Sequence, residues 1–497
     1  MSVINVNNLT FSYEGSENYI FKDINLNLDT NWNLGLIGRN GVGKTTFLKL
    51  LLGKYEYSGT IDASVNFEYF PFKIKNKQLN PYKIAKEYLN NDYERWKLEK
   101  EINLLNVDPD ILLRPFNVLS MGEQSKILLA ILFLKNNSFL LIDEPTNHLD
   151  LKGRETVANY LKSKKGFIVI SHDREFLDTC IDYVLYINKN SIGIERGNFS
   201  QYFKNKTEKD NWELNENKKL KNDIASLEKN FDRVKKWANK VENSKYNIKK
   251  GLATDKGYIG HKSAKMMKRA ITAQKRKEKK IEERSNLLKN VDVIEDLKIQ
   301  PLNNVKGRLL DFYNFSIIFD NKKIFKETSF YIDNKDRLQI KGSNGCGKSS
   351  ILKIILGENL TYFGKKYSFG NLKFSYVPQN ICNLSGTLDI YAKNNKIDES
   401  IFKSILIKLG FNRNQLNKNI RDFSNGQKKK VLIAKSLCEK ANVYVWDEPL
   451  NYIDVFSRLQ IENLLLKHKL TMVFVEHDDA FSKKIATKVV NIRKGPE

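Results

Sequence analysis

Two halves of this chain carry the same short motifs, in the same order and at an almost constant spacing. Six residues of the first half each have a counterpart 304 positions later: Gly38, Lys44, Ser120, Asp143, Glu144 and Asp150 recur as Gly342, Lys348, Ser424, Asp447, Glu448 and Asp454. His172 recurs as His477, 305 positions later. A chain of 497 residues is too long for one hydrophobic core. The repeat therefore predicts two α/β domains of the same fold, at residues 1–202 and 301–497.

The segment between the repeats, residues 203–300, is predicted to be helical. Its apolar residues recur at alternating spacings of four and three, which is typical of a coiled-coil seam. The seam consists of Leu220, Ile224, Leu227, Phe231, Val234, Ala238 and Val241. A looser second seam follows a stretch rich in glycine and polar residues. The simplest structure is a long antiparallel helical hairpin with its tip at residues 243–262.

The linker is also strongly basic. The whole chain has a net charge of +26, and residues 201–290 hold 26 Lys/Arg against 12 Asp/Glu. Such a charge calls for a polyanionic partner, either nucleic acid or an anionic membrane surface. A solvated helix would carry mixed signs, whereas residues 262–280 hold nine Lys/Arg and one Glu, so we expect contact with RNA. The candidate RNA-binding residues are Tyr246, Tyr258, His261, Lys262, Lys265, Lys268, Arg269, Lys275 and Arg276.

Several classes of protein are excluded by the remaining composition. No apolar run approaches the length of a membrane-spanning helix, and the first residues lack the pattern of a signal peptide. The four cysteines show no paired spacing that would suggest disulfides or zinc. We therefore expect a cytoplasmic protein with reduced thiols.

Each half contains the motif GxxxxGK[ST], at residues 38–45 and 342–349. Each match follows an apolar strand-like stretch and precedes a helical one, which is the context that a P-loop requires. The backbone N–H groups of such a loop surround phosphates, the lysine balances their charge, and the Ser or Thr hydroxyl binds Mg²⁺. Two matches in register predict two ATP sites, each with Mg²⁺. The predicted loop residues are Gly38, Asn40, Gly41, Gly43, Lys44, Thr45 and Thr46, and Gly342, Asn344, Gly345, Gly347, Lys348, Ser349 and Ser350.

Paired acids follow an apolar strand in each half, as Asp143–Glu144 and Asp447–Glu448. We predict that the two aspartates hold Mg²⁺ together with Thr45 and Ser349, and that the two glutamates polarise the attacking water as general bases. His172 and His477 each end a further apolar strand. A lone histidine there is usually a core or loop residue, but two at matching positions favour sensors of the γ-phosphate. The predicted catalytic residues are Glu144, Glu448, His172 and His477.

Residues 119–124 (LSMGEQ) and 423–427 (FSNGQ) resemble the signature motif of ATP-binding-cassette (ABC) proteins. In that family two cassettes clamp head to tail, so that the signature of one covers the ATP on the P-loop of the other. The resemblance implies two composite sites, each with the P-loop and acids of one cassette and the signature of the other. The signature residues that it assigns to the nucleotide are Ser120, Gly122, Ser424 and Gly426.

Tandem cassettes joined by a charged helical hairpin are similar to the ABC-F family of ribosome-binding translation factors, over the whole chain. Residues 144–150 (EPTNHLD), 448–454 (EPLNYID) and 32–41 (WNLGLIGRNG) look most like the antibiotic-resistance branch, and within it the Lsa type. The fold implied is two tandem ABC-type P-loop ATPase domains joined by a long antiparallel α-helical hairpin.

The function implied by the resemblance is ribosome protection. It implies binding to the bacterial 70S ribosome at the tRNA exit site, contact with 23S rRNA and P-site tRNA, and release of lincosamides, pleuromutilins and streptogramin A. ATP would close the clamp and hydrolysis would open it. The resemblance also implies a monomer whose two cassettes pair within the chain, without membrane subunits and without DNA.

The chain departs from the family pattern at one position of the first cassette. The Gln that the family places after its second strand is Gln379 in the second cassette, where the resemblance makes it a Mg²⁺ ligand. Phe72 occupies the matching position in the first and can neither bind the ion nor orient water. The two sites are therefore expected to turn over unequally. Tyr13 and Phe319 are predicted to stack on adenine, with core packing as the alternative.

Three other functions compete with this interpretation. An exporter ATPase would need membrane partners and has no obvious use for a basic coiled coil. DNA-repair and chromosome-structuring ATPases split one cassette around their coil, whereas each cassette here is complete. A housekeeping translation factor of the same family shares the chemistry and the partner, and it stays open.

Overall fold

The structure is a computed structural model of the chain. It describes residues 2–15, 19–89, 94–147, 149–188, 191–243, 307–319, 322–343, 345–381, 384–412 and 415–493, together with 261, 265, 268, 272 and 302. The chain divides into two compact units, one formed by Met1–Tyr202 with Asp296–Glu497 and the other by Phe203–Glu295. The first unit contains both repeats, which are called here the first and second cassettes. No helix in the described ranges combines the length and apolarity needed to cross a membrane.

The first cassette is built around a mostly parallel sheet of order β5-β6-β7-β3-β8-β9, in which only β8 and β9 are antiparallel. Strand β7 is buried along its whole length, so its sequence is an unbroken apolar run rather than an alternating one. The strands are β3 (Asn33–Ile37), β5 (Asn66–Phe70), β6 (Ser138–Asp143), β7 (Phe167–Ile170), β8 (Tyr183–Ile187) and β9 (Ile192–Arg196).

A smaller antiparallel sheet of order β2-β1-β4 packs above it. Helix α1 is fixed by the apolar core between the two sheets, where Phe47 and Leu48 are fully buried. The small sheet contains β1 (Val3–Phe11), β2 (Phe21–Asp29) and β4 (Ser58–Asp62). The helices are α1 (Lys44–Leu51), α2 (Pro81–Tyr88), α3 (Arg95–Leu104), α4 (Met121–Phe133), α5 (Leu151–Lys162) and α6 (Arg174–Cys180).

The second cassette repeats this plan. Its parallel sheet has the order β15-β16-β17-β13-β18, and its antiparallel sheet has the order β11-β10-β12, with β14 also pairing with β10. The strands are β10 (Arg308–Phe319), β11 (Lys322–Lys323), β12 (Thr328–Asp333), β13 (Arg337–Gly342), β14 (Tyr362–Ser368), β15 (Phe374–Val377), β16 (Val443–Asp447), β17 (Met472–Val475) and β18 (Lys488–Ile492). The helices are α8 (Lys348–Leu356), α9 (Leu388–Asn394), α10 (Glu399–Lys408), α11 (Asn425–Cys438), α12 (Val455–His468) and α13 (Asp479–Ile485). The predicted α/β tandem is thus present.

The linker begins with one long helix, α7 (Phe199–Asn243), of 45 residues. His261, Lys265 and Lys268 are helical and exposed. Most of the predicted tip and of the predicted returning helix lies outside the described residues, as do the side chains of the predicted seam beyond Leu220. The hairpin therefore stays a prediction.

Candidate active sites

Each P-loop connects a central strand to the helix that follows it, β3 to α1 and β13 to α8. Gly43 and Gly347 cap these helices with φ values of 100° and 90°. Glycine takes this left-handed conformation without the strain that a Cβ brings. The turn directs the free N–H groups of the first helical turn into the loop, where they attract an anion. Both loops therefore have the backbone of a phosphate site.

The two P-loop lysines are held over their loops by backbone carbonyls. Lys44 Nζ donates hydrogen bonds to the carbonyl oxygens of Gly38 (2.7 Å) and Arg39 (3.2 Å). Lys348 Nζ donates to those of Gly342 and Ser343, both at 2.9 Å. Burial lowers the pKa of Lys44. Each ammonium thus lies where the sequence predicts that it faces the phosphates.

Asp143, at the end of β6, accepts two hydrogen bonds on one carboxylate oxygen. Thr45 Oγ1 donates to Asp143 Oδ2 over 3.1 Å, and the Tyr69 hydroxyl donates to the same atom over 2.8 Å. Burial, followed by the charge of Asp143, raises the pKa of Tyr69 well above its usual range. The sequence predicts that Thr45 and Asp143 hold Mg²⁺ together, and the structure places the two side chains in contact, whereas the sequence analysis did not identify Tyr69. Its only signal in the sequence is a tyrosine at the matching position, Tyr376.

Glu144 has a left-handed backbone, with φ of 52°, and its N–H donates to the carbonyl of Ile170 over 2.9 Å. His172 Nε2 lies 3.2 Å from Glu144 Oε1, an oxygen that is buried and lacks a well-directed donor. Burial, followed by the charge of Asp143, raises the pKa of Glu144 to about 8. Burial and the charge of Lys44 keep the pKa of His172 well below its usual value, so the ring is neutral. The predicted catalytic pair of the first cassette is thus together, and its surroundings raise the pKa of the carboxyl group.

Glu448 occupies the matching position with φ of 44°, but its carboxylate has more partners. Asn451 Nδ2 donates to Glu448 Oε2 over 2.6 Å, and His477 Nε2 lies 3.5 Å from Oε1. Burial alone would raise the pKa of Glu448, but hydrogen bonds from His477, Gln379 and Asn451 outweigh it and lower the pKa to about 2. This carboxylate is therefore ionised at neutral pH. The pKa values of the two glutamates are thus shifted in opposite directions.

The loop that carries Gln379 is held in place by Lys429, a residue that the sequence analysis did not identify. Lys429 Nζ is buried and donates to the carbonyl oxygens of Pro378 (2.8 Å) and Gln379 (3.3 Å). Burial lowers the pKa of Lys429 to about 8. The first cassette has Ser125 at this position, and Phe72 stacks on Tyr88 there, with ring centroids 4.0 Å apart. Gln379 thus directs an amide toward Glu448, whereas Phe72 offers none to Glu144.

The acids at the strand ends suit a hard divalent cation. Asp447 Oδ1 is buried and without a hydrogen-bond donor in the described part of the chain, and the same carboxylate bonds Ser349. Within those residues no group of three or more His, Cys, Asp and Glu side chains forms a full metal cage. Mg²⁺ needs no such cage, because it takes one or two protein oxygens and completes its shell with phosphates and water. The pairs Thr45–Asp143 and Ser349–Asp447 therefore fit this ion.

The first P-loop lies against the second cassette. Asn40 Nδ2 donates to the carbonyl oxygen of Tyr452 over 2.8 Å, and the Asn40 N–H lies 3.4 Å from Asp454 Oδ2. A Cβ placed on Gly426 would be 2.5 Å from Asn40 Nδ2. Asp454 is buried and also accepts from Lys430 over 2.7 Å. The structure thus brings the first P-loop to the second signature, in the head-to-tail arrangement that the family resemblance implies.

The second P-loop borders a cavity of about 810 Å³ that both cassettes line. On one side lie Gly345, Gly347, Lys348, Ser349, Ser350, Gln379, Glu448 and His477, and on the other lie Asn147, Leu149 and Arg154. Ser120 is exposed, and its hydroxyl caps α4 together with Glu123. Across this cavity the second P-loop thus faces residues that follow Glu144 in the first cassette. Ser120 and Gly122 are not among the described residues that line the cavity.

The two candidate adenine rings differ in their surroundings. The Tyr13 hydroxyl shares a hydrogen bond of 2.7 Å with Thr46 Oγ1, and its ring packs edge-on against Phe11 with a centroid distance of 5.1 Å. Phe319 is 68% exposed. Adenine stacking stays a prediction for both. Seven candidates lie outside the described residues: Asn344, Tyr246, Tyr258, Lys262, Arg269, Lys275 and Arg276.

A second set of contacts joins the cassettes away from the P-loops. The Arg174 guanidinium pairs with Glu462 Oε1, and Lys484 Nζ donates to Glu462 Oε2 over 3.1 Å. Lys483 pairs with Glu175 over 3.2 Å at the surface. The sequence analysis did not predict these contacts, because they join residues that do not occupy matching positions in the two repeats.

Comparison with known proteins agrees with this architecture. The family described as ABC transporter matches residues 21–147 and 325–451. ATP-binding protein Uup of Buchnera aphidicola is 28% identical over 98% of this chain and 80% of its own. Ribosome protection protein VmlR of Bacillus subtilis is 26% identical over 98% of this chain and 86% of its own. ABC transporter F family member 2 of Arabidopsis thaliana is 27% identical over 99% of this chain and 77% of its own.

The family match covers both P-loops and both Asp-Glu pairs. It shows that the two cassettes bind ATP, and the ATPase domains shared with these relatives show that the chain hydrolyses it. The chain belongs to the ABC transporter family of ATPases, as a tandem-cassette member of its ABC-F branch.

Proposed function

We propose that this ABC-F ATPase binds the bacterial 70S ribosome at the tRNA exit site and protects it from antibiotics of the peptidyl-transferase centre. Lincosamides, pleuromutilins and streptogramin A are the proposed drug classes, and the Lsa type is the proposed branch. One observation carries the proposal: the 45-residue helix α7 lies inside a strongly basic linker between two cassettes that contact each other. The relative named ribosome protection protein VmlR supports it.

The linker is the proposed RNA-binding element. A helix of 45 residues is long enough to extend about 68 Å at the usual rise of 1.5 Å per residue. Basic groups along such an arm neutralise phosphates and release counterions, so binding weakens steeply with salt. Its proposed contacts are 23S rRNA and P-site tRNA, and the candidate residues named above supply the charges and rings. Displacement of the drug follows from the changed position of the tRNA and rRNA.

The proposed ATP sites use residues of both cassettes. Lys44 and Lys348 bind the phosphates with the loop N–H groups, and Tyr13 and Phe319 stack on adenine. Mg²⁺, when bound, neutralises phosphate charge, and Thr45 with Asp143 and Ser349 with Asp447 would hold it. The signature at Ser424–Gly426 is proposed to cover the γ-phosphate at the first P-loop, and Ser120 and Gly122 are proposed to reach the second P-loop when ATP closes the clamp. Removing the γ-phosphate takes away the anion that both cassettes hold, so the clamp opens.

Hydrolysis is proposed to be faster at the second P-loop. There the ionised Glu448 can accept a proton from water, while His477 and Gln379 fix the carboxylate in place. At the first P-loop Glu144 has a raised pKa and Phe72 offers no amide. The first site is proposed to bind ATP and to turn it over more slowly.

The proposed binding to the ribosome is tested by trapping the protein on ribosomes in its ATP-bound state. Changing both Glu144 and Glu448 to Gln removes the general bases while leaving the P-loops intact. With ATP, the double variant is expected to co-sediment with 70S ribosomes and to stay bound, whereas the wild type dissociates. Lys44→Ala with Lys348→Ala is the matched control, since it removes phosphate binding and is expected to co-sediment poorly. Equal co-sedimentation of the trapped variant and the wild type would contradict the scheme.

The resistance claim needs its own experiment. Expression in a susceptible bacterium is expected to raise the inhibitory concentrations of lincosamides and pleuromutilins, and deletion of residues 243–262 is expected to abolish the rise. An unchanged susceptibility profile, combined with ribosome trapping, would favour a housekeeping translation factor.

A further inference from the structure

Lys429, on helix α11, is a fully buried lysine that donates to three backbone carbonyl groups. Its Nζ bonds the carbonyl oxygens of Pro378 (2.8 Å), Gln379 (3.3 Å) and Asp447 (3.4 Å). An ammonium group has three N–H donors, so each carbonyl can be matched by one of them. The first two carbonyls belong to the loop after β15, and the third ends β16 immediately before Glu448. Lys429 therefore joins the two segments that bring Gln379 and Glu448 to the second ATP site.

The same helix also touches the first P-loop. Gly426 lies against Asn40, since a Cβ placed on this glycine would be 2.5 Å from Asn40 Nδ2. Lys430 donates to Asp454 Oδ2 over 2.7 Å, and the Asn40 N–H lies 3.4 Å from the same oxygen. Residues three and four apart on a helix are neighbours, so Gly426, Lys429 and Lys430 lie close together. One end of α11 thus contacts both ATP sites.

Helix α11 is short and stiff over the part that matters. Gly426 and Lys429 are three residues apart, a rise of about 4.5 Å along the helix axis. A packed helix moves as one piece over such a length. A shift of α11 at the first P-loop therefore also moves Lys429, and with it the carbonyl groups that hold the loop of Gln379.

The first cassette lacks this lysine, because Ser125 occupies the matching position in α4. The Ser125 hydroxyl donates to the carbonyl oxygen of Met121, in its own helix, over 2.9 Å. The next residue, Lys126, repeats the contact of Lys430: each donates to the first carbonyl group after the neighbouring helix, α3 or α10, over 3.0 and 2.7 Å. The fold thus uses a lysine at this second position in both cassettes. It does not require the one at position 429.

We propose that Lys429 is a positioning residue through which ATP at the first P-loop sets the rate of hydrolysis at the second. ATP held between Asn40 and α11 fixes the helix, and Lys429 then holds the Gln379 amide on Glu448. Without that ATP the helix shifts, and the carboxylate loses a hydrogen bond that orients it. The coupling runs one way, since Ser125 uses its single donor within its own helix. It rests on the proposed roles of Gln379 and Glu448 and is independent of the ribosome.

The coupling is measured as the ratio of two rates of phosphate release from the second P-loop. In a Glu144→Gln protein the first P-loop binds ATP without hydrolysing it, and in a Lys44→Ala protein it binds none. The first protein is expected to be about tenfold faster at the second site. Lys429→Met keeps the length of the side chain and removes its donors. Added to both proteins, it is expected to bring the ratio close to one, by lowering kcat of the Glu144→Gln protein about tenfold without changing KM.

Ser125→Ala is the matched control at the same position of the first cassette. It is expected to leave the ratio and both rates unchanged. Binding of a fluorescent ATP analogue to the Lys429→Met protein is expected to match that of the wild type, which shows that the variant is folded. A ratio that stays near its original value in the Lys429→Met proteins would overturn the proposal. An equal fall of both rates has the same meaning, because it gives Lys429 a structural role alone.

A second measurement leaves Lys429 in place. In a Lys348→Ala protein ATP binds only to the first P-loop. A non-hydrolysable ATP analogue is then expected to slow hydrogen exchange of the backbone amides in residues 373–381, and unchanged exchange would also overturn the proposal. The role of Glu448 is tested separately, since Glu448→Gln stops hydrolysis at the second P-loop whether or not the sites are coupled. Failure of that role and failure of the coupling are therefore distinguishable.

Discussion

Arg174 of the first cassette and Glu462 of the second form an ion pair, and the Glu462 side chain is fully buried. Lys484 approaches the other oxygen of the same carboxylate. A buried charge is expensive unless it is paired and hydrogen-bonded. The contact therefore links α6 to α12, at a place separate from the P-loop contact between Asn40 and Tyr452. The cassettes thus contact each other both at the first P-loop and between α6 and α12.

We predict that Arg174→Ala destabilises the protein by about 2–4 kcal/mol, because it leaves Glu462 buried with one cationic partner. Lys483→Ala is the control. It removes the exposed pair with Glu175 and is expected to change stability by less than about 1 kcal/mol. Urea unfolding followed by circular dichroism measures both. Similar urea midpoints for the two variants would show that the buried ion pair stabilises the protein no more than the exposed one does.

The pair of Lys430 and Asp454 predicts a larger effect. Both side chains are buried, so Asp454→Ala leaves an ammonium without its counter-charge, at a cost of about 3–5 kcal/mol. Burial alone would raise the pKa of Asp454, but Lys430 and Lys44 outweigh it and hold the pKa well below its usual value. The stabilisation is therefore complete at neutral pH and declines only as the pH falls below about 4. Unfolding measurements across acidic pH check this, and a decline already near pH 6 would contradict it.

The unequal sites are tested by exchanging their distinguishing residues. Gln379→Phe is expected to lower ATP hydrolysis about tenfold, since it removes an amide that holds Glu448. Phe72→Gln is expected to raise hydrolysis at the first P-loop, and Phe72→Leu, which removes the ring without adding an amide, is its control. Phosphate release from one site is measured while the other site is disabled, by Glu144→Gln or by Glu448→Gln. Equal rates in the Gln and Leu variants would show that Phe72 does not limit the first site.

Gly426→Ala is predicted to block closure at the first P-loop. The added Cβ would meet the Asn40 side chain and the carbonyl oxygen of Tyr452, and the carbonyl belongs to backbone that cannot turn aside. Hydrolysis is expected to fall about tenfold or more, while binding of a fluorescent ATP analogue to the P-loops is retained. Loss of analogue binding together with hydrolysis would indicate misfolding instead.

Much of the site follows from local sequence. The P-loops and the acids at the ends of β6 and β16 could be predicted because each depends on a short segment, and Gly43 and Gly347 take the backbone conformations that these motifs need. The position of Tyr69 on Asp143 could not, because it depends on the pairing of β5 with β6. The Arg174–Glu462 pair joins residues 288 positions apart without any repeat to reveal it. Of the difference between Glu144 and Glu448, the sequence showed only Phe72, because burial and hydrogen bonds shift the pKa values of the two glutamates.

The hydrogen bond between Asn40 and Tyr452 joins residues 412 positions apart. During synthesis the first P-loop leaves the ribosome long before the codons for its opposing surface have been read. The newly made first half thus contains its P-loop and its acidic residues, but the surface of the second cassette that faces them has not yet been made. The surface that faces the first P-loop is therefore complete only when the second cassette has been made.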